Sequence, residues 1–302
     1  MTAYISEKIS TFVTLNLNYM TKLLVHFHLY YHDQMDYFLS KLANIDGCEW
    51  DMFVTMPQRD EAVETKLRNF KSDVRIIEVE NYGYDVWPFL KVIKSVNLDD
   101  YDYIIKLHTK RIVNKAKANK ITMRGFRWRN EMVDALLSSP GQFAKVKDMF
   151  DNDKSVGLVC SLLTYQKTNQ YIPGETRLCK EFERLGLTPA DLHFCAGTMF
   201  MARASLYKAL QRDDISAAMF VDCSPQSGAD LSMAHTYERI LSMLPSAQGS
   251  RIVPICESRI CRAYINAATA IQPFFAWIFT IAREGDNYQK YIRLFGLKFK
   301  LQ

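Results

Sequence analysis

The residues best suited to chemistry lie between Glu80 and Arg129. Asn81-Tyr82-Gly83-Tyr84-Asp85 precedes an apolar strand that ends Lys106-Leu107-His108-Thr109-Lys110-Arg111, and from Tyr103 to Asn130 the chain holds nine Lys and Arg and no carboxylate. Cations delivered to the carboxyl edge of a sheet repel one another unless an anion joins them, and that edge is where open α/β sheets bind ligands. The pattern points to a phosphate-bearing ligand, or to a solvated loop. Alternation places Lys106, His108 and Lys110 on one side of their strand, with Arg111 next in line. Asn81, Gly83 and Asp85 stand between strand and helix, where they suit a ribose or base edge as well as a plainly capped turn. Asp85 sits in a loop with little core packing, so its removal is expected to weaken ligand binding and spare the fold. Gly197-Thr198 breaks the apolar run His193–Ala202, which admits a ligand close to the backbone or kinks a buried strand. Asp230, His235 and Glu238 fall at helical spacing and offer a general base, or equally an N-cap and solvated charge.

The elements that position these residues alternate. Lys22–Tyr30, Asp51–Thr55, Val74–Val79, Tyr101–Leu107, Ser155–Ser161 and His193–Ala202 read as strands. Asp33–Leu42, Asp60–Phe70, Val86–Val96, Trp128–Leu137, Gly141–Asp151 and Asp230–Met243 read as helices, Pro88 being tolerated in a first turn. Short strands separated by helices of this length predict βαβ units and a mostly parallel sheet. Leu163–Gly174 has the composition of a loop. Lys115, Lys117 and Lys120 read as surface charge.

At 302 residues, 48% apolar and 24% charged, the chain can bury a large core. The organisation predicted is an extension over 1–20, an α/β domain over 21–260 and a helical tail over 261–302. Seven cysteines without a Cys-x-x-Cys pair suit free thiols in a reducing cytoplasm and argue against structural zinc. Met1–Met20 lacks the pattern of a signal peptide. Ala263–Ala282 is uncharged and almost span-length, but Asn266, Gln272 and Pro273 favour a buried or interface-lying helix. The alternating apolar and basic residues from Leu294 to Lys300 suit an anionic membrane surface or a solvated terminus. No nucleic-acid recognition module accompanies the basic stretch, which leaves RNA binding the weakest of the readings.

Four motifs occur in order: Glu80-Asn-x-Gly-x-Asp-x-x-Pro-Phe-Leu90, Lys106-Leu-His-Thr-Lys110, Ala196-Gly-Thr-Met-Phe-x-Ala-Arg203 and Asp230-x-x-x-Ala-His-x-x-Glu-Arg239. Together, over about residues 20–245, they resemble the rhamnan-synthesis F family of bacterial polysaccharide glycosyltransferases, related to the GT-A nucleotide-sugar fold. The resemblance implies a GT-A-like Rossmann-type domain. It implies transfer of a sugar from a nucleoside diphosphate to a growing cell-surface polysaccharide or lipopolysaccharide, through a glycan or lipid-linked acceptor at the inner membrane. Asn81, Gly83 and Asp85 would lie near the nucleotide, with Lys106, His108, Lys110 and Arg111 at the diphosphate. Gly197 and Thr198 would line the sugar and acceptor cleft, and Asp230, His235 and Glu238 would stand at the base position. Tyr84 and Trp87 depart from the family's usual Arg and small residue. His108 and Lys110 stand where the wider fold carries an Asp-x-Asp metal site, so no metal or other cofactor is expected to be required. A non-catalytic nucleotide-sugar or glycan-binding subunit is the alternative.

Overall fold

The computed structural model describes residues 20–118, 121–221, 232–256, 258–284 and 289–301. The first half follows the expected alternation: β1 Lys22–His28, α1 Met35–Leu42, β2 Glu49–Met56, α2 Glu61–Phe70, β3 Arg75–Glu78, α3 Val86–Lys94 and β4 Tyr103–His108. A hairpin follows, β5 Val113–Ala118 and β6 Ile121–Gly125, then α4 Arg127–Leu137, α5 Pro140–Asn152 and β7 Val156–Ser161. The second half holds β8 Tyr165–Lys167, α6 Arg177–Arg184, β9 His193–Cys195, β10 Phe200–Arg203, α7 Met233–Ala247 and β11 Arg251–Ile255. Helix starts are capped where the sequence offers an oxygen. Asp60 accepts from Val63 N, and Ser139 accepts from Gln142 N ahead of Pro140.

Seven strands form one sheet in the order β11-β7-β10-β4-β1-β2-β3. Neighbours pair in parallel except β10, which runs antiparallel to both β4 and β7. Both faces are covered, so the central strands are apolar on both sides. Leu24, Phe53, Ile104 and Phe200 pack under α3, α6 and α7, whereas Leu23, Val25, Phe27, Ile105 and Leu107 pack under α1, α2, α4 and α5.

Two expectations need correction. His193–Ala202 is two strands in different sheets, β9 pairing with β8 and β10 with β4 and β7, because Gly197 and Thr198 turn the chain with φ of 83° and 48°. The tail is not wholly helical. Helix α8, Arg259–Ile278, gives way to β12 Phe279–Glu284, β13 Gln289–Leu294 and β14 Leu297–Lys300, a three-stranded antiparallel sheet. Its β13–β14 turn, Phe295-Gly296, has positive φ at both residues, the geometry of a tight hairpin, and alternation on either side favours strands over helix. Among the described residues no helix is long and apolar enough to cross a membrane.

Candidate active site

The site grows from the carboxyl ends of β1, β2 and β4. Register sets His26 beside Lys106 and His28 beside His108, with Thr55 of β2 opposite His28. All five side chains are buried on the face that packs under α3. Thr55 Oγ1 bonds His26 Nε2 at 2.9 Å and His28 Nδ1 at 3.0 Å. Lys106 is wholly buried and lies 5.6 Å from the Phe89 ring centroid.

A buried ammonium needs a counter-charge, and Asp85 supplies it. Asp85 occupies the N-cap position of α3 but makes no cap bond. Its carboxylate turns instead onto Lys106 Nζ and accepts from Thr198 Oγ1 at 2.5 Å. Lys106 also donates to Thr198 Oγ1 and to its carbonyl, at 3.0 and 3.2 Å. Burial opposes the charge of Asp85, yet the Lys106 and Lys110 ammonium groups outweigh it and hold the carboxyl well below its usual range. The two turns that meet here are both left-handed. Gly83 and Tyr84 have φ of 63° and 54°, Gly197 and Thr198 of 83° and 48°. For tyrosine, and more so for β-branched threonine, this conformation is strained, and such strain persists only where surrounding bonds over-determine it.

Above this layer lies Lys110, whose Nζ is 3.5 Å from His108 Nε2 and 5.8 Å from the Trp128 ring centroid. An ammonium cannot accept, so His108 Nε2 carries the lone pair and its proton sits on Nδ1, 3.5 Å from Asp85 Oδ2. That separation makes an electrostatic contact but not a well-formed hydrogen bond. Among the described residues Lys110 has no carboxylate at ion-pair distance, unlike Lys106. A Cβ on Gly197 would meet Met132 Sδ at 2.9 Å and both Lys110 Nζ and Trp128 Nε1 at 3.2 Å, so glycine is what lets this backbone approach the cation. Gly197 N donates to Glu238 Oε1 at 2.6 Å, which ties the turn to α7. His235 lies at the rim, with Nδ1 2.6 Å from Ser232 Oγ and its ring 5.8 Å from that of Tyr84.

Of the residues singled out in the sequence, Gly83, Asp85, Lys106, His108, Lys110, Gly197, Thr198 and Glu238 are thus brought into one cluster. Asn81 and Arg111 are exposed and outside it. Asp230 lies outside the described residues, and the cap of α7 is Ser232. Asp85 is not the loosely packed loop residue expected, since it neutralises a lysine with no access to water.

The profile of the family described as rhamnan synthesis protein F matches residues 1–250. The chain belongs to that family. An uncharacterized protein WxcX of Xanthomonas campestris pv. campestris (strain B100) is 26% identical over 234 residues, which make up 76% of this chain and 32% of that protein. The chain therefore spans about a third of the length of the curated relatives it matches. Among solved structures, S. aureus TarS 1–349 in complex with UDP is 12% identical with a TM-score of 0.41, covering 79% of this chain and 59% of that one. The mannosyltransferase PcManGT from Pyrobaculum calidifontis, in complex with GDP-Man and Mn²⁺, is 12% identical with a TM-score of 0.37, covering 86% of this chain and 64% of that one.

In this family member the donors at the end of β4 do not suit a divalent metal. Asp85 is engaged by Lys106 and Thr198, and His28 Nδ1 by Thr55. The Lys110 ammonium stands against the one remaining imidazole nitrogen that faces it. Among the described residues no group of three or more His, Cys, Asp or Glu could hold a metal ion.

Sequence reasoning overlooked His26, His28, Thr55 and Trp128. The two histidines alternate within an otherwise apolar strand, the same signal that drew notice to Lys106 and His108. Burial, aided by the Lys106 charge, pushes His26 and His108 well below the usual imidazole value and His28 down to about 4. All three are neutral at physiological pH. The unfolded chain therefore binds more protons as the pH falls from 6.5 toward 4. Stability is fully present above that window and is lost across it, by up to about 3 kcal/mol from His28 alone. Denaturant titrations across this range should show the loss, and a flat profile would show that the imidazoles are not held neutral in the fold.

Proposed function

We propose that the chain is a glycosyltransferase that moves a sugar from a nucleoside diphosphate to a growing glycan or lipid-linked acceptor at the inner face of a bacterial membrane. The observation that carries the reading is the Lys110 ammonium, which has no carboxylate at ion-pair distance among the described residues, at the edge of β4 where two left-handed turns converge. It stands in a member of a family described by polysaccharide synthesis. Rhamnose as the transferred sugar is the finer form of the proposal and rests on the family description alone.

The roles follow from position. The Asn81–Asp85 turn lies near the nucleoside, and Gly197 with Thr198 lines the sugar cleft. Lys110, with neutral His108 beside it, meets the departing diphosphate. Lys106 acts through Asp85 and Thr198, holding both turns rather than touching the donor. A carboxylate takes the proton of the acceptor hydroxyl, the acceptor oxygen bonds to the anomeric carbon, and the diphosphate leaves with the bonding electrons. Asp230, just ahead of α7 in sequence, is the proposed base, with Glu238 and His235 as positioning residues. The protein's own cations take the charge of the leaving group, so no divalent metal is required.

A thermal-shift screen against UDP, GDP, CMP and dTDP sugars tests this directly. One donor class should raise stability by about 2.7 kcal/mol at a hundredfold excess over its Kd, and EDTA should leave that shift and sugar transfer unchanged. If no nucleotide sugar stabilises the chain, the donor reading fails. Activity lost to EDTA and restored by Mn²⁺ would assign the phosphate chemistry to a metal. Donor binding without turnover by any acceptor would favour a binding subunit.

A further inference from the structure

The three strands that follow α8 have one face built mainly of apolar residues. Pairing sets Phe279, Leu294 and Leu297 in one cross-strand row and Ile281, Ile292 and Phe299 in the next. Alternation puts both rows on the same side. A sheet face of this kind is normally covered by a second layer. Here Phe279, Ile281, Leu294, Leu297 and Phe299 are 43 to 65% exposed, and on α8 Phe274, Phe275 and Trp277 are exposed as well. Isolated apolar residues at a surface are ordinary, but a contiguous apolar face marks an interaction site.

Charge indicates the occupant. Residues 259–302 contain seven Lys and Arg against two Asp and Glu, so the chain's entire net charge of +5 resides in this segment and the remainder is neutral. Lys298 and Lys300 of β14, an edge strand, alternate onto the opposite side of this thin sheet. Lys290 shares the apolar side by alternation, at the far end of the Ile292 and Leu294 row. Lys298 Nζ stands 4.0 Å from the Tyr291 ring centroid on the opposite face. Two copies of the chain stacked on this face would bring two strongly basic units together, which like-charge repulsion disfavours. Phospholipid supplies both complements at once, acyl chains for the aromatic and aliphatic side chains and anionic headgroups for the ammonium and guanidinium groups.

We propose that the β12–β14 sheet, with the end of α8, is a docking surface for an anionic lipid bilayer. Its apolar face enters the headgroup boundary and its basic side chains engage the lipid phosphates. The surface is separate from the buried cluster at β4 and stands whether or not the chain transfers sugar.

Co-sedimentation of the full chain with vesicles tests the proposal, using phosphatidylcholine alone and phosphatidylcholine mixed with phosphatidylglycerol. The chain should bind the anionic vesicles, leave the neutral ones largely unbound and be released by salt. Lys290→Gln, on the apolar side of the sheet, should lower partitioning roughly 5-fold, from ~1 kcal/mol for a basic residue near the surface. Leu297→Ser with Phe299→Ser should lower it as well while leaving the melting midpoint of the chain unchanged, since both side chains face solvent. Absence of binding to anionic vesicles, or binding that neither Lys290→Gln nor Leu297→Ser with Phe299→Ser weakens, overturns the proposal. So does a lipid-independent dimer that Leu297→Ser with Phe299→Ser converts to monomer, because the face would then belong to a second copy.

Discussion

Asp85→Ala should cost about 3–5 kcal/mol of stability, the range for removing one member of a buried ion pair. The loss comes from Lys106, which has no exposed surface and retains only the hydroxyl and carbonyl of Thr198 as polar partners. Replacing both charges with apolar groups avoids that penalty, so Asp85→Ala combined with Lys106→Met should recover much of the lost stability. The recovered protein should still bind nucleotide sugar poorly, because nothing would then hold the Gly83–Tyr84 and Gly197–Thr198 turns against one another. Urea titrations of the two variants measure the first effect, and donor-induced thermal shifts measure the second. An Asp85→Ala midpoint equal to that of the parent would show that the ion pair is not what stabilises this layer.

Asp230→Asn should lower the turnover number by at least ~10²-fold and leave donor affinity intact, the effect of losing a general base. Glu238→Gln should behave differently. Glu238 Oε1 already accepts from Gly197 N, so the carboxylate positions the turn that lines the cleft. An amide oxygen can accept the same hydrogen bond, and a milder change in turnover with an altered KM is expected. Rates measured with saturating and limiting donor separate the two roles. Near-normal turnover in Asp230→Asn together with none in a folded Glu238→Gln reverses the assignment.

The parallel half of the sheet was readable because its signals are local. β1, β2 and β4 are apolar runs with few polar interruptions, and helices α1 to α3 between them are short and bury apolar residues. The parts that escaped are those in which distant context overrides the local pattern. The run from His193 to Ala202 is broken only by Gly197-Thr198, and that break alone does not reveal that its two ends belong to different sheets. β11 holds Pro254 and lies at a sheet edge, where proline is tolerated but obscures the strand. The β5–β6 hairpin is rich in lysine and was read as surface charge. α6 is short and strongly charged, and it is buried only through Leu178, Cys179 and Phe182.

The site shows the same division. Asp85, Lys106 and Thr198 each drew notice alone, from a glycine nearby or a charge at the end of an apolar strand. Their partnership depends on contacts that no local window contains. The sequence therefore suggested Lys106 as a free cation for diphosphate, whereas the fold commits it to Asp85, and among the described residues no carboxylate stands at ion-pair distance from Lys110. Trp128 is legible in the sequence only as the start of a helix, and its proximity to Gly197 follows from the packing of α4.

The antiparallel course of β10 also has a bearing on when the site comes into existence. Lys106 and Thr198 are 92 residues apart in sequence, and Asp85 and Thr198 are 113 apart. Bonds of such separation form only after the long intervening loop has closed, which is the slow part of folding for chains rich in distant contacts. A folding chain can complete β1 to β4 and their helices while the Thr198 side of the cluster is still absent. The cluster is then completed with the docking of β10 and α7, and under the proposed function an incompletely folded chain would lack the site for a donor.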